Sequence, residues 1–411
     1  MSKTQFTTNI VHADRKLNPD SGAVHYPVVN SVLFGYENPQ DLVDIFQGKQ
    51  AGHAYARQST PTTDALQSMV NDMEGGVGCL VFASGMSAIT TTFFTLLNAG
   101  DHIIASQFLF GNTPSVLGTL VRFGVEVTQV DVTNAQLVQD AIQPNTKMVF
   151  TETIANPVTQ IADLDGIGQL CQQHNLVYIV DNTMTPSYLF KAKEVGASLI
   201  TTSLTKYVGG HGTVTAGAVI DTGNYDWANF DNILDSFRQQ PTHAQALTQI
   251  KKKGLRDLGG CLSSDSAHLI ALGAETMSLR LERACDNAMQ LAQYLNDHDK
   301  IAKVYYPGLE SHPQHLDAKK YFKTFGAIIS FDPIAGIDPV KLLTELNLVI
   351  SATHLGDNRT LALPVAQTIF YEMGLENRQK AGISENMIRM SVGIEDIGDL
   401  LSDFEQALMS C

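Results

Sequence analysis

Between Cys79 and Thr202 the chain repeats one pattern, and that repeat narrows its possible folds more than any other feature. Short apolar, β-branched runs stand at Cys79–Phe82, Ile103–Ala105, Val125–Val130, Met148–Thr151, Leu176–Val180 and Leu199–Thr202. Between most of them lie stretches with helical periodicity: Met86–Leu97, Thr113–Phe123, Asn134–Ile142 and Leu164–His174. Strands that alternate with helices imply a mostly parallel sheet covered on both faces, an α/β fold. This regular region is read as a large domain over residues 61–258. Residues 1–60 precede it as an extended arm, in which His25-Tyr26-Pro27 and Asn38-Pro39 break any long helix and Asp41 to Phe46 form a short amphipathic piece. After Gly259-Gly260 the pattern changes. A long linking helix is predicted over Ser266–Asn296, with Leu269, Leu272, Leu279, Leu291 and Leu295 among its core positions. It leads into a smaller C-terminal α/β domain, residues 259–411, with strands at Val304–Tyr306 and Ala327–Phe331 and a last helix at Ile397–Met409.

Parallel strands present functional side chains at their carboxyl ends. Two such ends carry complementary groups: Asp181 follows Leu176–Val180, and Lys206 follows Leu199–Thr202 with the hydroxyls of Ser203 and Thr205 beside it. A lone lysine after a strand is ordinarily a solvated surface group. An acid and an amine at one sheet edge instead suit pyridoxal 5'-phosphate, which needs a lysine for covalent attachment and a carboxylate opposite its ring nitrogen. Ser84-Gly85-Met86 sits at a strand-to-helix junction where backbone N–H groups could hold a phosphate, although the same residues also suit an N-cap and a tight turn. Tyr55-Ala56-Arg57 offers a phosphate-binding guanidinium and a phenol, or two plain surface residues. Asn156, in Glu152-Thr153-Ile154-Ala155-Asn156-Pro157, either meets a phenolate oxygen or forms the turn before proline. Arg389 interrupts an apolar strand, so it needs an anion, either a structural carboxylate or a substrate carboxylate. His312 and His315 lack a third nearby ligand and Pro313 intervenes, so no metal site is read. Gly75-Gly76-Val77-Gly78 lacks a following lysine and reads as a helix stop.

Composition excludes several other classes. The 411 residues carry a formal net charge of −15, which disfavours nucleic acid and anionic membranes as partners, and the basic run Lys251-Lys252-Lys253 is too local to change that. The five cysteines are scattered and form no CxxC pair, so neither a disulfide framework nor a zinc site is indicated. Neither an apolar leader nor a bilayer-length apolar stretch is seen, and a reducing cytoplasm is the expected location.

Taken in order, Tyr55-x-Arg57, Ser84-Gly85-Met86, Glu152-Thr153-x-x-Asn156-Pro157, Asp181-Asn182-Thr183, Ser203-x-Thr205-Lys206 and Arg389-x-Ser391-Val392-Gly393 resemble the cystathionine γ-synthase-like family of pyridoxal-phosphate (PLP) enzymes in cysteine and methionine metabolism. The resemblance runs from about residue 20 to residue 408. It implies a fold-type I, aspartate-aminotransferase-like architecture. By position it implies that Lys206 carries the cofactor, that Asp181 pairs with the ring nitrogen, and that Ser84, Gly85, Met86, Thr183, Ser203 and Thr205 surround the cofactor and its phosphate. It further implies that Tyr55 and Arg57 reach that phosphate from a neighbouring subunit of a homo-oligomer, typically a tetramer. Asn156 would touch the ring hydroxyl, and Arg389 and His354 would face an amino-acid substrate.

Departures from the family pattern bear on the reaction. Phe110 stands where most members have a tyrosine stacked on the cofactor, and it keeps a stacking surface without an acidic proton. Asn112 replaces the cysteine typical of methionine γ-lyases, and His354 replaces a common serine or asparagine. Gly356-Asp357 and Leu255-Arg256-Asp257-Leu258-Gly259 resemble O-acylhomoserine sulfhydrylases, whereas Ala362-Leu363-Pro364-Val365-Ala366 replaces the usual His-Pro-Ala-Ser/Thr segment. The expected activity is therefore γ-replacement on an O-acylhomoserine by sulfide or cysteine. The alternatives are a γ-lyase acting on methionine or cystathionine, and a PLP-binding regulatory protein with little turnover.

Overall fold

Neighbouring residues along the central strands enter two different cores, as the two-residue period of a strand requires. Val149, Tyr178, Val180 and Ile200 pack on one face of the large sheet, while Met148, Phe150, Val177, Ile179 and Leu199 pack on the other. The computed structural model describes residues 4–17, 19 and 22–411. The large sheet has seven strands: β1 (Gly78–Phe82), β2 (His102–Ser106), β3 (Glu126–Val130), β4 (Thr146–Glu152), β5 (Val177–Asp181), β6 (Leu199–Thr202) and β7 (Gly217–Asp221), ordered β1-β7-β6-β5-β4-β2-β3. The pairs β2–β3, β2–β4, β4–β5 and β5–β6 are parallel, and β7 runs antiparallel to both β1 and β6.

All six strands expected before residue 203 are present; the sequence reading lacked β7 in this sheet, and Ile350–Ser351 and Leu361–Pro364 in the smaller one. The five residues of β7, Gly-Ala-Val-Ile-Asp, are all buried. A glycine opens it for a steric reason. A Cβ on Gly217 would lie 2.3 Å from the Ser84 carbonyl oxygen, so only glycine lets this strand pass the start of the helix Gly85–Leu96.

The linking helix is not continuous, which corrects the expectation over 266–296. It divides into Ser264–Glu275 and Met277–Asp297, with Thr276 at φ −104°, ψ 4° between them. The Thr276 hydroxyl donates to the Gly273 carbonyl at 3.3 Å, a local bond that competes with the helical ladder. The smaller sheet contains β8 (Ile301–Tyr305), β9 (Ile328–Pro333), β10 (Ile350–Ser351), β11 (Leu361–Pro364) and β12 (Ile388–Ser391), ordered β10-β11-β12-β9-β8. Only the β10–β11 pair is parallel. One face joins the same core as the linking helices through Ile329, Phe331, Ile388 and Met390, with Phe404 of the last helix, Ile397–Ser410, packed in the same core, so the two sheets share packing.

The arm is more ordered than its prolines suggest. It holds the helices Phe6–Val11 and Pro39–Phe46, and Leu33 bridges Tyr55 antiparallel. Val24, Val32, Leu33 and Phe46 nevertheless stay well exposed on the single chain. No described helix is long and apolar enough to cross a membrane.

Candidate active site

The carboxyl ends of β4, β5 and β6 and the loop after β1 surround one cavity of about 260 Å³. Ser84, Gly85, Met86, Phe110, Asn156, Asp181, Thr183, Ser203, Thr205 and Lys206 all line it. Register explains part of this: Glu152 at the end of β4 stands beside Asp181 at the end of β5, and Asp181 beside Thr201 in β6.

The phosphate-sized corner of the cavity is made by backbone approach. A Cβ on Gly85 would lie 2.8 Å from the Cβ of Ser203, so the start of the helix Gly85–Leu96 meets the Ser203 loop at a distance only glycine allows. The Ser84 hydroxyl accepts the Ser87 N–H at 3.0 Å. It therefore caps the helix as well as lining the cavity, and both readings of that residue hold. The unpaired N–H groups and dipole of this helix's first turn favour an anion. Across from it, the Ser203 N–H donates to the Thr183 hydroxyl at 2.8 Å, and the Thr183 N–H donates to Asp181 Oδ1 at 2.9 Å. The Thr205 hydroxyl is engaged at both ends, donating to the Ala216 carbonyl at 3.0 Å and accepting its N–H at 2.9 Å.

Charge in the site is shaped by burial. Burial lowers the Lys206 amine to about 8, with the nearby Arg389 cation adding to the effect, so this lysine exchanges its proton far more readily than a surface one. Burial raises Asp181, against the bonds from Thr183. Glu152 is pushed up to about 8 by burial and then by the Asp181 charge, while it accepts the Phe110 N–H at 2.9 Å. Glu152 thus binds its proton far more tightly than an ordinary carboxylate, beside a residue that has none to give.

Arg389, on β12, is completely buried. Its Nη2 donates to the carbonyls of Thr353 at 3.1 Å and His354 at 2.9 Å, whereas Nε and Nη1 have no partner. Among the described residues no carboxylate pairs with it, so the structural-carboxylate reading of its partner has no support. Asn156 Oδ1 is also buried without a partner. Each such group costs about 1–3 kcal/mol when left unmade. Asn156 lines the cavity and its free oxygen suits a hydrogen-bond donor, whereas Arg389 is not among the lining residues and its two free donors suit an anion.

Other expected residues lie elsewhere. Tyr55 and Arg57 are exposed, with the Arg57 guanidinium 5.4 Å over the Tyr55 ring and its Nη1 donating to the Arg256 carbonyl at 2.5 Å. They line a separate groove with Thr60, Cys261 and Ser263. His354 presents its imidazole to Lys206 rather than to the cavity, whose wall there is Thr353 and Leu355. The sequence reading gave no role to Glu152, although it quoted the residue, and did not single out Thr215, which also lines the cavity. Arg280 was missed entirely. Its guanidinium donates to the carbonyls of Tyr207 at 2.8 Å and Val208 at 3.0 Å, and so clamps the loop that carries Lys206. Nothing in Leu279-Arg280-Leu281 signals this.

Comparison with known proteins gives a consistent picture. The family profile described as "Cys/Met metabolism PLP-dependent enzyme" matches residues 7–409. An L-methionine gamma-lyase of Fusobacterium nucleatum subsp. polymorphum is 37% identical, with the match covering 98% of this chain and 97% of that protein. O-acetyl-L-homoserine sulfhydrylase 1 of Thermus thermophilus is 35% identical over 98% of this chain and 100% of its own. A Campylobacter jejuni structure, described as a candidate O-acetylhomoserine (thiol)-lyase with N'-pyridoxyl-lysine-5'-monophosphate, superposes with a TM-score of 0.93 at 30% identity, covering 99% of this chain and 100% of that one.

Proposed function

Because the chain belongs to the pyridoxal-phosphate-dependent enzymes of cysteine and methionine metabolism, we propose that it performs γ-replacement on an O-acylhomoserine, with sulfide or cysteine as the incoming nucleophile. The observation that carries this choice is Phe110 in the cavity wall. A thiolate leaving group departs well only when protonated, whereas a carboxylate departs from an ester unaided. A phenylalanine there provides a flat apolar face and no proton, which favours the ester. The Thermus sulfhydrylase relative supports the same choice. One second reading has support of its own, γ-elimination from methionine. Its support is the 37% identical methionine gamma-lyase and, in the same cavity, a Glu152 carboxyl whose proton affinity burial raises.

The residues present fit the cofactor: a glycine cradle at a helix N-terminus, orphaned Asn156, an acid at the end of β5 and an amine in the loop after the neighbouring β6. When bound, pyridoxal 5'-phosphate supplies an electron sink for the carbanion formed at the substrate Cα. Lys206 would carry it covalently and, once displaced by the substrate amine, take the Cα proton at Nζ. Asp181 would face the ring nitrogen, whose positive charge offsets the cost of burying that carboxylate. Gly85, Met86, Ser203 and Thr205 would hold the phosphate, with Ser84 and Thr183 fixing the two loops that bear them. Asn156 would meet the ring hydroxyl through its free side chain. Arg389 would fix the substrate α-carboxylate through its two unpaired donors, and with it the orientation of the Cα–H bond.

Tyr55 and Arg57 would complete the site of an adjacent subunit in a homotetramer, which would also cover the apolar residues exposed on the arm. Arg57→Ala is expected to weaken retention of the cofactor. Mixing it with Lys206→Ala protein should restore activity to as much as about a quarter of wild type, since one intact site can form per hybrid dimer. Mixed variants that stay as inactive as either alone would remove the shared-site assignment.

Phe110→Tyr tests the choice of reaction. By restoring a proton donor it should raise elimination relative to replacement by about tenfold or more, read as the ratio of 2-oxo acid to thioether or thiol product. An unchanged ratio would count against the role given to Phe110.

A further inference from the structure

Lys206 and Arg389 come from different sheets, and one residue touches both. His354 Nδ1 lies 3.2 Å from Lys206 Nζ, while its main-chain carbonyl accepts from Arg389 Nη2 at 2.9 Å. A Cβ placed on Gly212 would lie 3.9 Å from His354 Cδ2, an ordinary contact distance, so the imidazole lies near the Gly212 turn as well as near Lys206. Burial, and then the Lys206 charge, hold this histidine down at about 4, so the imidazole is neutral at neutral pH and the shared proton belongs to Lys206. Nδ1 is then the acceptor and Nε2 carries the ring hydrogen, buried without a partner.

We propose that His354 is a positioning residue for Lys206: its neutral imidazole accepts the Lys206 N–H at Nδ1 and holds the amine beside the Arg389 anchor whenever that amine is not covalently engaged. This rests on the reading of Lys206 as the cofactor-bearing residue. It gives the freed amine a fixed place from which to act on a substrate whose carboxylate Arg389 fixes, and both positions are set through one residue.

The sign of the effect on Lys206 follows from the contact. A neutral acceptor stabilises the ammonium over the amine, so removing it should let Lys206 lose its proton at lower pH. The other groups to consider are few. Lys206 faces His354 and Arg389, with Asp181 and Glu152 across the cavity, and His354 faces Lys206, Asp357 and Arg389.

The test uses cofactor-free protein and the rate at which it captures pyridoxal 5'-phosphate covalently, followed by absorbance from pH 6 to 10. In wild type the rate should rise with pH through the Lys206 titration. His354→Ala should move that rise to lower pH by about half a unit or more. His354→Asn, whose side-chain oxygen can stand near the Nδ1 position, should keep the wild-type profile. His354→Gln, which reaches the Nε2 position instead, should behave like alanine. Superimposable profiles for wild type and His354→Ala would overturn the proposal, as would retention by glutamine but not asparagine. Covalent capture by Lys206→Ala protein would instead overturn the reading of Lys206 itself, and the proposal with it.

Discussion

Lys206→Ala should lower turnover by about 10⁴-fold or more and leave the fold intact. The loss is large because one atom, Nζ, is asked both to hold the cofactor and to move the Cα proton. Stability should hold because, among the described residues, the side chain has one hydrogen-bond partner, His354, and burial already disfavours its charge. Borohydride reduction of the wild-type protein should yield a pyridoxyl-lysine at position 206, and reduction of the variant should yield none. A variant that kept its cellular effect without turnover would favour the regulatory alternative over catalysis.

Arg389→Leu should lower kcat/KM by about 10²- to 10³-fold, the range expected when one partner of a desolvated, hydrogen-bonded charge pair is truncated. Unlike most buried-charge deletions, this one should not unfold the protein. The guanidinium is fully buried and two of its donor atoms are unpaired, so exchanging it for a leucine removes a desolvation cost while giving up two bonds to carbonyls. The thermal midpoint should therefore hold or rise while activity falls. Arg389→Lys should recover only part of the activity, since lysine keeps the charge and loses the planar fork. An Arg389→Leu enzyme with near wild-type kcat/KM would place the carboxylate anchor elsewhere.

What the sequence disclosed follows from how local each feature is. Strands such as Leu176–Val180 are continuous apolar runs because both faces are buried, and a functional residue at such a strand's end, Asp181 or Lys206, can be located by chain position alone. β7 escaped notice because Gly217–Asp221 is short and opens on glycine, and the need for that glycine lies in Ser84, far away in sequence. The break at Thr276 was hidden because leucines continue on both sides of it. Arg389 was visible as a buried arginine, yet the choice between its possible anions turned on whether any carboxylate folds back onto it, a tertiary fact. Arg280 is beyond sequence reading for the same reason, since its partners are backbone carbonyls of a distant loop. Glu152 was quoted for its motif, and the upward push on its carboxyl comes from burial and then from Asp181 beside it, both of which depend on the fold.

The most direct test of the proposed reaction is product analysis with O-acetylhomoserine, with and without sulfide or cysteine, beside parallel reactions on methionine and cystathionine. Homocysteine or cystathionine that forms only when ester and thiol are both present is the predicted result. Release of 2-oxobutyrate from methionine or cystathionine without added thiol, at rates above any replacement, would contradict it and make the chain a γ-lyase despite Phe110.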